Sequence, residues 1–516
     1  MPSASSLREL AASVLMVGFE GTRPNSALSE RMRRLRPGGM IVFARNVDGP
    51  PERVHELVAS LTEAIDADLP LLVALDQEGG RVARLREGAT SVPSMMALAA
   101  SGDADLAERV GYVLGYDVSR AGGNVNFAPV LDLALQPENT VIGARAFSDD
   151  PAIAASFGMA VARGIARAGV VPTYKHFPGH GSTAVDSHLA LPVIDVPVAT
   201  FRARDLAPFA QALSAGADAI MCAHIVVRSI DAERPATIAP AVLTTLLREY
   251  LRFDGVCFTD CLEMGAIAGG VGTARAAVLA LAAGADCPLI SHTYELAQAA
   301  IQQIVAALED GSLPLSRLEQ AAERLRRLRA KVGRGVAPLP FGVAAQEAAR
   351  RSITLLRGDP HVRLGGCVLI SFDGSTAEGV EGVVEAHSYL HDALSAREIA
   401  VRSVTFPLDA APEDVPNFPA IEDPRATRPV VVVRRAHLHP GQPAIVARIL
   451  AQRPDAIVVS AREPFDVPLF DEASTLLCTY SDDAVSMEAL ADVLVGTVAP
   501  QGHLPIRRPS FADDRG

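Results

Sequence analysis

Over residues 1 to about 330, short apolar segments alternate with longer stretches whose apolar residues recur at helical spacing. No other feature of the sequence constrains the fold as tightly. The segments that read as strands are Val14–Met16, Met40–Phe43, Leu71–Leu75, Val125–Pro129, Val170–Tyr174, Ala219–Met221, Val256–Phe258 and Pro288–Ile290. Pro51–Ile65, Ala104–Ala121, Pro151–Ala168, Thr200–Ala215 and Thr273–Ala283 read as helices between them. Eight strand-then-helix units over this length match an α/β (β/α)8 TIM barrel. Periodicity alone also allows a doubly wound sheet.

Length argues for a second domain: 516 residues exceed one ordinary hydrophobic core. The Gly- and Pro-containing run from Lys331 to Gly342 breaks the rhythm. Beyond it, Cys367–Ile370, Val430–Val433, Ala456–Val459 and Leu476–Thr479 read as strands, with helices at Pro443–Gln452 and Val485–Val495. The expected organisation is a barrel in 1–335, a linker region in 336–350, and a smaller α/β sandwich domain in 351–516.

The strands are almost wholly apolar, but polar or titratable residues follow nearly all of them: Arg45-Asn46, Asp76, Asp132, Lys175-His176, His224, Asp260 and His292. In a barrel, reacting groups collect where the strands end, so this distribution points to a site. The densest stretch runs from Lys175-His176-Phe177-Pro178-Gly179-His180-Gly181 to Asp186-Ser187-His188. Asp186 lies two residues from His188, close enough for a carboxylate to orient an imidazole that exchanges protons. Asp260 directly follows a buried strand and reads either as a nucleophile or as a helix cap. Asp76 and Arg84 flank a Gly-Gly turn, placed for sugar hydroxyls or for a structural ion pair at the rim. Gly179 and Gly181 suggest a loop free to move.

Net charge is −13, which argues against a nucleic-acid partner or an anionic membrane surface. The apolar runs are too short for a membrane span, and no cleaved signal is expected, so the reading is cytoplasmic. Cys222, Cys257 and Cys367 look like small core residues. Cys257 and Cys261 lack a second Cys/His pair nearby, and His437-Leu438-His439 lacks a third ligand. No metal or other cofactor is expected, and the His pair reads as a surface loop.

Taken together, these stretches resemble the β-N-acetylglucosaminidase (NagZ-like) branch of glycoside hydrolase family 3 in its two-domain form. The resemblance runs from Leu15 to about Ala330. It includes Phe43-Ala44-Arg45-Asn46-Val47, Leu75-Asp76-Gln77-Glu78-Gly79-Gly80-Arg81-Val82, Asn126-Phe127-Ala128-Pro129, Val141-Ile142-Gly143-Ala144-Arg145 and the Lys-His-Phe-Pro-Gly-His-Gly run. In the second domain it touches Ser352-Ile353-Thr354-Leu355-Leu356 and 496–505. It implies a small carbohydrate substrate, terminal β-linked GlcNAc of muropeptides or chitooligosaccharides, cleaved with retention. It also implies Asp260 as nucleophile, His188 as acid/base with Asp186 as its partner, and Asp76, Arg84, Arg145, Lys175 and His176 as sugar-binding residues. Many relatives carry a second aspartate after the nucleophile, where this chain has Cys261. A phosphorylase, a family 3 β-glucosidase and a sugar-binding relic are the competing readings.

Overall fold

The computed structural model describes residues 3–66, 69–183, 191–332, 343–359, 363–373, 389–411, 413 and 428–507. The first sheet is built from β1 (Met16–Val17), β2 (Gly39–Val42), β3 (Leu72–Leu75), β4 (Val125–Asn126), β5 (Val171–Pro172), β6 (Tyr174–Phe177), β7 (Ala219–Cys222), β8 (Val256–Cys261) and β9 (Cys287–Ile290). All pairings are parallel, in the order β5-β4-β3-β2-β1-β9-β8-β7-β6. Only Thr173 separates β5 from β6 at the two ends of that order, so the nine segments make an eight-stranded barrel that closes on itself. Every barrel strand from β1 to β4 is buried throughout, as a sheet inside a helical shell requires.

Two strands run further than their apolar segments. β6 extends through Lys175 and His176 to Phe177, which pairs with Cys222, and β8 extends to Cys261, opposite Leu289. Neighbouring strands, not local composition, decide where these two end. The expected helix 200–215 is two helices, Val198–Ala203 and Ala207–Ser214. The break holds Asp205, 2 % exposed, whose carboxylate takes the Ser182 hydroxyl and Arg204 Nε. At the opposite barrel end, buried Asp286 gathers Arg248, Arg317 and Arg324 and accepts the Cys257 N–H, a stabilising knot away from the reacting end.

The second sheet contains β10 (Thr354–Arg357), β11 (Gly366–Asp373), β12 (Ala400–Pro407), β13 (Arg428–Val433), β14 (Ile457–Ser460) and β15 (Thr475–Cys478). Its order is β10-β15-β14-β13-β11-β12, parallel except for β10. Both edge strands escape the sequence reading, and for β12 the reason is plain. It is largely solvent-facing and carries Arg402, Ser403 and Thr405, so it has no apolar run to recognise. Residues 333–342 lie outside the described residues, and a helix, Ala344–Ser352, already runs through the later part of the expected linker.

One hydrophobic cluster spans both domains. Met96, Ala97, Ala100 and Ile142 of the barrel pack with Val431 and Val458 of the second sheet and with Phe465 and Tyr480 beside it. Around it, Asp482 takes a two-point ion pair from Arg81 at 2.9–3.0 Å and a single bond from Arg434 Nε at 2.9 Å. His437 corrects the surface-loop expectation. Its side chain is 4 % exposed, Nδ1 faces Asp466 Oδ1 at 2.6 Å, and Nε2 donates to the Pro137 carbonyl of the barrel at 2.9 Å. Among the described residues no helix is long and apolar enough to cross a membrane.

Candidate active site

At the C-terminal ends of the barrel strands lies a cavity of about 360 Å3. Asp76, Arg84, Arg145, Lys175, His176 and Asp260 all line it, although they come from four separate chain stretches. Asp186 and His188 lie outside the described residues.

Asp76 follows β3 directly, and the short strand Gln77–Gly79 continues from it, so residues 76 and 78 point the same way. Their two carboxylates share Lys175: Nζ sits 2.7 Å from Asp76 and 2.6 Å from Glu78. Arg145 closes on Glu78 through Nε and Nη2, both at 2.8 Å, while Arg84 reaches Asp76 at 3.4 Å. Three cations and two anions are thus interlocked. Burial works against the charge on Asp76, but Lys175 and Arg84 outweigh it and hold the carboxyl below its ordinary range. The same contest at Glu78 is won by Arg145 and Lys175, which hold its carboxyl well below the usual carboxylate range.

Glu78 is the site residue that sequence reasoning passed over. Its signal was present: in an extended segment, the second residue after a functional carboxylate shares its face. Its side chain is 2 % exposed, against 13 % for Asp76. Asp76 is thus the more accessible of the two carboxylates, while Glu78, which also lines the cavity, holds Lys175 and Arg145 together.

His176 is held by Asp132, 1 % exposed, whose Oδ2 lies 2.6 Å from Nδ1 and accepts the His176 backbone N–H at 3.0 Å. The other oxygen accepts the His180 N–H at 2.6 Å. His180 is buried and lines the cavity. Desolvation dominates over the Asp132 charge and lowers its pKa to about 4, so it is neutral at neutral pH. The glycines here serve packing. A Cβ on Gly181 would lie 2.1 Å from the Leu133 carbonyl oxygen, and Asn139 Nδ2 donates to the His180 carbonyl at 3.2 Å. This close approach is the packing reason for a glycine at 181; residues 184–190, which carry His188, lie outside the described residues.

Asp260, in β8, accepts the Cys261 N–H at 2.7 Å, which fixes its carboxylate at the cavity wall. Cys261 is 8 % exposed; its carbonyl accepts from His224 Nε2 at 2.8 Å and its sulfur accepts the Ser291 hydroxyl at 2.6 Å. Burial pushes the thiol up to about 11. On the outer wall Phe43 stacks on His292 at 5.6 Å, with Arg45 over the Phe43 ring at 4.8 Å. No group of three or more His, Cys, Asp or Glu stands ready for a metal among the described residues.

A barrel with a cavity of carboxylates and cations at its strand ends has the architecture of a TIM-barrel enzyme. The glycosyl hydrolase family 3 N-terminal domain matches residues 6–328, so the chain belongs to that family and is a glycoside hydrolase. It is 42 % identical over 295 residues to a β-hexosaminidase of Pseudomonas aeruginosa (strain LESB58), covering 56 % of this chain and 86 % of that one. A β-hexosaminidase A of Pseudoalteromonas piscicida is 29 % identical over 555 residues, covering 93 % and 90 %. Among solved structures, a family 3 β-N-acetylglucosaminidase from Paenibacillus sp. str. FPU-7 superimposes with a TM-score of 0.89 at 35 % identity, covering 97 % of this chain and 98 % of that one.

Proposed function

We propose that this chain is a retaining exo-β-N-acetylglucosaminidase that releases terminal β-linked GlcNAc, with muropeptides as its substrates. The observation that carries the reading is Asp260 at the end of β8, facing the Asp76–Lys175–Glu78–Arg145 cluster across one small cavity. That cavity lies at the small end of the range for ligand sites, which suits one terminal sugar. Near full-length likeness to a solved β-N-acetylglucosaminidase supports the sugar assignment.

In this reading the barrel within residues 1–335 is the catalytic domain and 351–516 its supporting domain. Asp76, Arg84, Arg145, Lys175 and His176 bind the sugar, the carboxylate accepting hydroxyl protons and the cations donating to ring substituents. Asp260 attacks C1; the C1–aglycone bond breaks, and the leaving oxygen takes a proton from the His188 imidazolium, which Asp186 orients. A water then gives its proton to His188 and attacks C1, freeing Asp260 and GlcNAc with its β configuration. An imidazole suits this work because it titrates near neutrality without the environment a carboxylic acid donor needs.

The test is turnover of an aryl β-N-acetylglucosaminide by wild type and Asp260→Ala, with and without phosphate, following products by mass. Free GlcNAc independent of phosphate, with turnover down by about 10⁴-fold or more in the variant, is expected. GlcNAc 1-phosphate as product would make the enzyme a phosphorylase instead.

A further inference from the structure

Arg145 enters the cavity from a stretch with little regular structure of its own. Between β4 and the helix Pro151–Arg167, the one regular element is the 3-10 turn Gly143–Arg145. A buried segment of this kind takes its shape from the partners of its backbone groups. Within the stretch, Arg145 N–H donates to the Ile142 carbonyl and Nη1 to Val141 at 2.7 Å. Asn139 Oδ1 accepts the Val141 and Ile142 N–H groups at 3.1 and 2.9 Å, and a further grip, on residues 140 and 144, comes from the second domain. Glu463, 2 % exposed, accepts the Ala144 N–H at 3.3 Å. A Cβ on Gly143, where φ is 45°, would fall 2.1 Å from the same Glu463 oxygen, so turn and carboxylate are in direct contact. Arg435 holds Glu463 at 3.2–3.3 Å and donates to the Thr140 carbonyl at 3.1 Å.

We propose that Glu463, with Arg435, is a positioning residue for sugar binding: it seats the 143–145 turn and through it the Arg145 guanidinium. The inference rests on the reading of Arg145 as a sugar-binding residue. It makes the second domain part of the binding apparatus without contributing a group that touches the sugar. The charge on Glu463 is secure. Burial opposes it, but Arg435 and Arg462 outweigh burial and depress its pKa. An anion here is tied to Arg435 and the turn at once, whereas a neutral amide would loosen the first tie and with it the second.

The experiment measures steady-state turnover of an aryl β-N-acetylglucosaminide by the full chain, comparing wild type, Glu463→Gln, Arg145→Ala and the double variant. Glu463→Gln is expected to raise KM about tenfold, as misplacement of a binding group does, while kcat stays within about twofold. The double variant should be no worse than Arg145→Ala alone, because the first residue acts through the second. Gly143→Ala, which pushes turn and carboxylate apart while leaving the Arg435–Glu463 charges in place, should reproduce the KM effect. An unmoved KM in folded Glu463→Gln, or effects that multiply with those of Arg145→Ala, would overturn the positioning role alone. Absence of turnover by wild type would overturn the sugar reading as well.

Discussion

His437 Nε2 donates to the Pro137 carbonyl across the domain boundary at 2.9 Å. Its other nitrogen faces the Asp466 carboxylate, so both ring nitrogens meet acceptors, an arrangement that favours the imidazolium. Burial would lower its pKa, but the Asp466 hydrogen bond and charge, helped by Glu463, hold it above the ordinary histidine value of 6.5; the Phe465 ring packs edge-on beside it.

That arrangement sets a sign for stability. A raised folded pKa gives stability that is complete below pH 6.5 and lost as pH rises through the raised value. The unfolding temperature of the wild type should therefore fall on the alkaline side. His437→Gln should flatten that slope and cost about 1.5–3 kcal/mol below it, the range of a charged hydrogen bond. An unchanged slope in the variant would remove His437 as the cause.

His180 works in the opposite direction. Its folded pKa of about 4 lies below the ordinary 6.5, so between these values the unfolded chain binds the extra proton. Stability should fall as pH drops from 6.5 to 4, by on the order of 3 kcal/mol from this one residue. His180→Gln should blunt the loss, as measured by denaturant midpoints across that window.

Glu78 and Asp76 should separate stability from binding. Glu78→Gln leaves Lys175 and Arg145 buried with too little negative charge, and a loss of about 3–5 kcal/mol is expected. Asp76→Asn, at the more exposed of the two carboxylates and proposed to bind the sugar, should cost far less stability and appear mainly as a raised KM. Calorimetry and steady-state kinetics on the two variants check the contrast, and equal destabilisation would contradict it.

Cys261 sits beside Asp260, yet its thiol pKa of about 11 keeps it un-ionised at neutral pH. Iodoacetamide at pH 7 should leave turnover intact over hours. Rapid inactivation blocked by GlcNAc would show a reactive thiol instead.

Much of the barrel was legible because its signals are local. Strand–helix alternation repeats within each unit, and a polar residue after an apolar run announces itself in a few residues, as Asp76 and Asp260 do. Strand ends were less so: Lys175 and His176 belong to β6 because Phe177 finds Cys222 across the sheet. The edge strand Ala400–Pro407 gave no apolar run to follow.

By itself, the sequence determined the repeating α/β units and the residue types at the reacting end of the barrel, since both follow from side-chain chemistry and short-range periodicity. Only the tertiary structure decided the partners. Glu78 meets Arg145 across 67 residues and His437 meets Pro137 across 300. Gly181 is a glycine because Leu133 presses against it, and Gly143 because Glu463 does. Such pairings arise from the packing of distant segments, where desolvation makes each buried charge depend on a neighbour that no local pattern names.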